Sequence, residues 1–317
     1  MTDAKDDPVV EIYLGEEQLE IRRLLRSALR DLQLDTLQDY ESCAPLREAV
    51  REGQPDLIIV DSDLAGGNAC DLIRAIRNSR LGTNPFVPVI VTTWRNTRPR
   101  IRALIDSGAD GLLIKPISFS AIQSHVNFVV NERKPFVVTS SYIGPDRRKD
   151  PKHSSAAPLI EVPNTLKAKL RGDAPNLGEL RRQIASISAQ IDTERLRRNA
   201  FELAFLVERA LADHASGVSA AKLRTDLERL LHVTGDTLER LRGSAFEASA
   251  DLCRTLRRVV TAILESAAKP SRVDLQFLKP LTDAILAGFH PDRSEAEISR
   301  EIIRTIDVYE AREGRRN

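Results

Sequence analysis

Cysteine is scarce: the 317-residue chain holds three, Cys43, Cys70 and Cys253, far apart and in no CxxC pair. An odd, dispersed set makes no disulfide framework and fits a reducing compartment. Aromatic residues make up 4%, with one tryptophan. That argues against an aromatic-rich β-sandwich and against a surface built to stack single-stranded bases. Neither sign of charge is in excess, with 47 Lys and Arg against 46 Asp and Glu, so no global field draws the chain to DNA or to an anionic membrane. Long apolar runs are also missing. The stretches at 57–60 and 86–91 are strand-length, far short of a membrane span. Residues 1–8 are polar and acidic, without the apolar core of a secretory leader. A cytoplasmic protein with no membrane segment is therefore expected.

What is present suffices for two cores. Hydrophobic residues make up 42%, and at roughly 150 residues per domain the length suggests two domains. Over the first 130 residues, short β-rich apolar runs alternate with amphipathic stretches. Strands are predicted at 9–14, weakly at 35–38, and at 57–61, 87–92 and 111–114. Helices are predicted at 19–34, 46–51, 71–77, 101–106 and 119–130. The continuous run LIIVD at 57–61 reads as a parallel strand buried on both faces. The order is (βα)5, and such alternation gives an α/β fold, a doubly wound parallel sheet with helices on both sides. A first domain is placed at 8–131.

Residues 132–175 differ. Pro135, Pro145, Pro151, Pro158, Pro163 and Pro175 forbid a long helix. This stretch is predicted to be a Pro-rich linker, ordered in part through 136–138 and 142–143, with the charged run 144–152 as a solvated segment. From 176 to 317 helical periodicity dominates and an all-α bundle is expected. Leu177, Leu180, Ile184, Ile187 and Ile191 form a short heptad seam suited to a homodimer. Later helices are suggested by Leu223, Leu227 and Leu230, by Leu252, Leu256 and Val260, and by Ile298, Ile302 and Ile306.

In open α/β sheets the chemistry lies beyond the carboxyl ends of the strands. Glu16 and Glu17 follow the first predicted strand and Asp61 ends the third, its neighbour in such a sheet. Three converging carboxylates repel one another unless a cation is present, and a hard oxygen-ligand ion, Mg²⁺ or Mn²⁺, suits them. Thr92 and Thr93 end the fourth strand, where alternation sends only one hydroxyl toward the cluster. Lys115 and Pro116 follow the fifth. Carboxylates, a hydroxyl and a lysine around one cation suit phosphoryl transfer to a carboxylate.

Carried by PDLIIVDSDLAGGNACDLIRAIR, VPVIVTTW and SGADGLLIKPI, residues 9–130 resemble a response-regulator receiver domain of bacterial two-component signalling. The resemblance implies that Asp61 accepts the phosphoryl group, that Thr93 contacts it, and that Lys115 is the conserved-type lysine with its Pro116. It implies a metal held by Glu16, Glu17, Asp61 and the backbone carbonyl of Asp63. It also implies a histidine kinase or phosphotransfer protein as partner, and a phosphoacceptor rather than an enzyme with its own catalytic domain. Four departures stand out. Glu-Glu replaces an Asp-rich acidic pair, the bulky Trp94 follows the threonine, Leu112 takes the place of a switching aromatic, and Leu64-Ala65 replaces Met-Pro. They keep open a receiver that docks partners without phosphate.

Other motifs carry less. Residues 226–245 superficially resemble a helix-turn-helix, but Asp236 and Glu239 make a poor face for base edges, so an interaction or dimerisation module is favoured for the helical half and a DNA-binding transcriptional regulator is the alternative. His214 lacks the lysine and the glycine spacing of a phosphotransfer histidine. The five histidines form no metal-ligand grouping.

Overall fold

The computed structural model describes residues 9–34, 36–148, 157–216, 220–265 and 272–290. They fall into two compact units, divided between Ser188 and Ala189. No helix among the described residues is long and apolar enough to cross a membrane.

The first unit opens with the alternation the sequence predicts: β1 (Ile12–Gly15), α1 (Leu19–Arg30), β2 (Leu37–Tyr40), α2 (Cys43–Glu52), β3 (Leu57–Asp61), α3 (Ala69–Arg77), β4 (Val89–Thr93), α4 (Arg98–Ile105), β5 (Gly111–Ile114) and α5 (Phe119–Asn131). The strands form one parallel sheet in the order β2-β1-β3-β4-β5. β3 is apolar on both sides because helices cover both sheet faces. Ile58 and Val60 pack with Leu46, Leu72 and Ile73, while Leu57 and Ile59 pack with Leu25, Leu29, Ile122 and Val126. The second strand starts at Leu37 rather than 35, after a left-handed turn at Gln33 (φ 61°).

The stretch expected as a linker carries regular structure. β6 (Phe136–Val138) and β7 (Ile143–Pro145) form an antiparallel hairpin, and α6 (Thr165–Leu170) follows. Phe136 also exchanges both backbone hydrogen bonds with Ile160. Proline excludes long helix here but is compatible with short strands and turns. The parts anticipated as ordered, 136–138 and 142–143, belong to this hairpin. Its backbone lies against the loop before β5. A Cβ on Gly144 would come within 2.8 Å of Gly108 Cα, and one on Gly108 (φ +98°) would meet the Ile143 carbonyl oxygen at 2.5 Å. Only glycine tolerates both the approach and the dihedral.

Below the sheet, Arg77 is almost fully buried. Its Nε donates to Gly108 O (3.0 Å), Nη1 to Pro85 O (2.7 Å) and Val87 O (2.8 Å), and Nη2 to Asp110 Oδ2 (2.8 Å). Burial pushes its pKa down to about 10 against the pull of Asp110. A guanidinium with this many carbonyl and carboxylate acceptors can be buried charged.

α7 (Leu177–Ala215) is one 39-residue helix. Leu177, Leu180, Ile184 and Ile187 of its apolar stripe are exposed or half-buried, whereas Ile191 and Leu196 are buried. In the second unit α7 runs antiparallel to α8 (Ala220–Leu241), joined by Arg195–Asp236 (3.0 Å), Glu202–Arg229 (2.7 Å), Asp213–Lys222 (3.3 Å), Asp192–Arg240 and Arg209–Asp226. A 3₁₀ turn at Glu247–Ser249, α9 (Ala250–Glu265) and α10 (Arg272–Phe289) complete the described bundle around Leu203, Val207, Leu230, Leu256, Val260, Ile285 and Phe289. α8 passes unbroken through 226–241, so no turn separates two helices where the helix-turn-helix resemblance would need one. The helix suggested by Ile298, Ile302 and Ile306 lies outside the described residues.

Cys253 sits in this core at 0% exposure, and burial pushes its thiol up to about 12. A thiol disulfide reagent at about pH 8 is expected to leave Cys253 unlabelled in the folded chain and to label it only as the bundle opens. Peptide mapping along a urea series checks this; rapid labelling without denaturant would contradict the packing.

Candidate phosphoacceptor site

Three strands end at one cleft. Glu16 follows β1, Asp61 closes β3 and Lys115 follows β5, and the sheet order makes β1 and β3 neighbours. Lys115 Nζ donates to Glu16 Oε2 at 2.6 Å and, more closely, to Asp61 Oδ2. The lysine side chain is fully buried and Glu16 nearly so, while Asp61 retains a path to solvent. Burial of these charges is tolerable because each finds partners. Glu16 Oε1 accepts the Gln18 amide (3.0 Å), and Asp61 Oδ1 accepts the Asp63 amide (2.7 Å). The Glu16 carbonyl accepts Arg22 Nη1 (3.1 Å), which helps fix the β1–α1 loop. The Lys115–Pro116 peptide is cis.

Thr93 is fully buried, its Oγ1 lying 2.9 Å from Ser62 Oγ and accepting the Arg95 amide at 3.1 Å. Ser62 Oγ is also 2.8 Å from Asp63 Oδ2, so its single proton serves one of the two at a time. Asp63 Oδ1 accepts Arg100 Nη2 (2.8 Å), and the same Nη2 donates to the Ser62 carbonyl (2.9 Å). Arg95 Nε stands 3.7 Å from Asp63 Oδ2. Trp94 is half-exposed with Lys115 Nζ 5.7 Å from its ring centroid, within cation–π range. Thr92, on the other face, is buried with its hydroxyl unpartnered.

The cleft thus joins Asp61, Glu16 and Lys115 directly and brings Thr93 and Asp63 alongside through Ser62. Glu17 is exposed, and no three His, Cys, Asp or Glu side chains among the described residues are grouped to hold a metal. The donor chemistry still fits a hard divalent ion: two carboxylates converge on one point, one of them open to water. Ser62 and Arg100 escaped the sequence reading. A serine beside an acid is unremarkable, and nothing local marks an arginine in α4 as the partner of a loop 37 residues earlier in the chain. Leu112 is half-buried beside the core. His214, near the end of α7, is exposed.

A parallel sheet of this strand order, with acid, acid, hydroxyl and lysine at its carboxyl edge, is the architecture of a receiver. The family described as response regulator receiver domain matches residues 12–127, and this part of the chain is a response regulator receiver domain of two-component systems. Receiver domains are in general phosphoacceptors that bind Mg²⁺ at an acidic pocket and interact with histidine kinases or phosphotransfer proteins. Among curated proteins, the chain is similar to the KDP operon transcriptional regulatory protein KdpE of Escherichia coli, 34% identical over 120 residues, covering 36% of this chain and 48% of KdpE. It is also similar to the chemotaxis protein CheY of Pseudomonas aeruginosa, 23% identical over 118 residues, covering 37% of this chain and 93% of CheY. The chain therefore spans about half of KdpE but nearly all of CheY. The solved chemotaxis response regulator CheY4 of Vibrio cholerae matches at 16% identity with a TM-score of 0.34, covering 38% of this chain and 98% of that one.

Proposed function

We propose that this chain is a response regulator that accepts a phosphoryl group on Asp61 and thereby switches the interactions of its helical half. The observation that carries the reading is Lys115 Nζ held between Asp61 and Glu16 at the carboxyl edge of the sheet. In the proposed reaction an Asp61 carboxylate oxygen forms the bond to phosphorus as the phosphorus–nitrogen bond of a partner's phosphohistidine breaks. The electron pair stays with the departing imidazole. Lys115 is placed to pass from the Asp61 oxygen to a phosphoryl oxygen, and Thr93 to exchange Ser62 for another. Mg²⁺ or Mn²⁺ at Glu16, Glu17, Asp61 and the Asp63 carbonyl would neutralise the remaining phosphoryl charge. The partner would be a histidine kinase or phosphotransfer protein. A homodimer through the helical half, along the exposed or half-buried stripe of Leu177, Leu180, Ile184 and Ile187, belongs to the same proposal. So does the division of labour between a receiver over 8–131 and an output region over 176–317.

Intact mass after acetyl phosphate treatment with Mg²⁺ tests this. A phosphoryl-sized adduct is expected on the wild-type chain and none on Asp61→Ala; an adduct surviving in that variant would move the acceptor elsewhere. A second reading, a receiver that docks partners without phosphate, is favoured by the Ser62–Thr93 contact and the bulk of Trp94. Absence of any adduct on the wild type would select it.

A further inference from the structure

We propose that Arg100 is a tethered cation that holds the phosphosite loop closed against a divalent metal, so that metal binding at Asp61 and release of Arg100 from the loop are coupled. The inference rests on the site assignment above, but its first readout is metal affinity and needs no phosphorylation.

Arg100 lies in α4, outside the set of acid, hydroxyl and lysine residues. Its Nη2 holds two groups of the loop after β3, the Ser62 carbonyl at 2.9 Å and Asp63 Oδ1 at 2.8 Å. The amide of Asp63 in turn donates to Asp61 Oδ1 at 2.7 Å, and the Asp63 carbonyl is a ligand in the proposed metal set. A fixed positive charge is thus anchored on the residue expected to supply a metal ligand, one hydrogen bond from the phosphoacceptor. Like charges at this range repel, and a loop pinned at both Ser62 and Asp63 is not free to turn its carbonyl toward an ion.

The clasp is also incomplete. Arg100 Nε is buried and has no hydrogen-bond partner, an unfavourable state for a charged donor. The closed arrangement therefore leaves the arginine something to gain by leaving for water or for a new oxygen acceptor. Arg100 belongs to α4, and the same loop reaches Thr93 through Ser62. Release would therefore loosen the hold of α4 on the loop when the cleft gains a cation. Metal binding and the Arg100 clasp, being linked, must oppose each other by the same factor in both directions.

The test is a Mg²⁺ titration of the full chain, followed by fluorescence of Trp94, the single tryptophan, and by calorimetry. Arg100→Ala is expected to bind Mg²⁺ about tenfold more tightly than the wild type. Arg100→Lys, which keeps the charge, is expected to stay near the wild type. Equal or weaker Mg²⁺ binding by Arg100→Ala, with an unchanged thermal unfolding midpoint, overturns the proposal, as does the absence of calorimetric binding in both. If Arg100→Ala tightens Mg²⁺ while neither chain gains a phosphoryl adduct, the clasp stands and the phosphoacceptor reading falls.

Discussion

Lys115→Ala is expected to destabilise the first unit by about 3–5 kcal/mol and to slow phosphorylation of Asp61 by about 100-fold or more. Both effects follow from one geometry. The ammonium is fully buried and bonds two carboxylates, one of which, Glu16, is 2% exposed. Removing the lysine strands Glu16 in a place water barely reaches, and the loss is chiefly that of an uncompensated charge rather than of the pair itself. The same ammonium is the only buried cation the structure sets against Asp61 among the described residues, so charge developing on a phosphoryl group would lose its fixed counterpart. Urea unfolding read at Trp94 gives the first quantity, because that tryptophan reports on the first unit alone. Time courses of the acetyl phosphate adduct give the second. The pair Glu16→Gln with Lys115→Met separates them: stability should largely return while phosphorylation stays slow. Recovery of both would mean that Lys115 acts only through packing.

The candidate cleft was legible in the sequence because its parts sit at strand ends. Four apolar β-rich runs are unmistakable, and in a parallel sheet the residues just past them must meet. Glu16, Asp61, Thr93 and Lys115 could therefore be named before any contact was known, and the period of two along β4 separated Thr93 from Thr92. Which of two adjacent glutamates turns inward was not legible, since it depends on how Lys115 approaches from β5. Glu16 takes the lysine and Glu17 faces solvent. Ser62 and Arg100 were invisible for a related reason. Their roles exist only once α4 is folded over the β3–α3 loop, and no local pattern encodes that meeting.

In the helical half, periodicity located α7, α8 and α9 but not their continuity. The Val-Thr-Gly run at 233–235 reads as a turn, yet α8 continues through it. Val233 and Thr234 face the core, and the Thr234 hydroxyl donates to the Leu230 carbonyl at 2.6 Å, satisfying itself within the helix. A helix already secured by five ion pairs to α7 tolerates one glycine at a modest propensity cost. The hairpin at 136–145 was glimpsed from its apolar residues, but its attachment could not be. Part of that attachment is Arg77, whose guanidinium lies beside the Phe136 ring although its place near the end of an amphipathic helix gives no hint of it.

That attachment yields the other large effect. Phe136→Ala is expected to destabilise the first unit by about 3–5 kcal/mol, and ending the chain after Asn131 to do at least as much. Phe136 is 0% exposed, packs edge-on against Phe86 at 6.0 Å, and has the Arg77 and Arg133 guanidinium carbons 5.3 and 5.2 Å from its ring centroid. Removing the ring opens a cavity beside two guanidinium groups whose acceptors are already committed. Arg133 holds Asp110 Oδ1 at 2.7 Å while Arg77 holds Oδ2 at 2.8 Å. Water admitted there would compete for Asp110, which also accepts the Val89 amide at 2.8 Å and so steadies the start of β4. The two units offer separate probes. In Phe136→Ala the Trp94 transition should move to lower urea while protection of Cys253 is unchanged, because the hairpin is built into the first unit. An unfolding free energy read at Trp94 within about 0.5 kcal/mol of the wild type would instead make the hairpin an appendage that the first unit does not need.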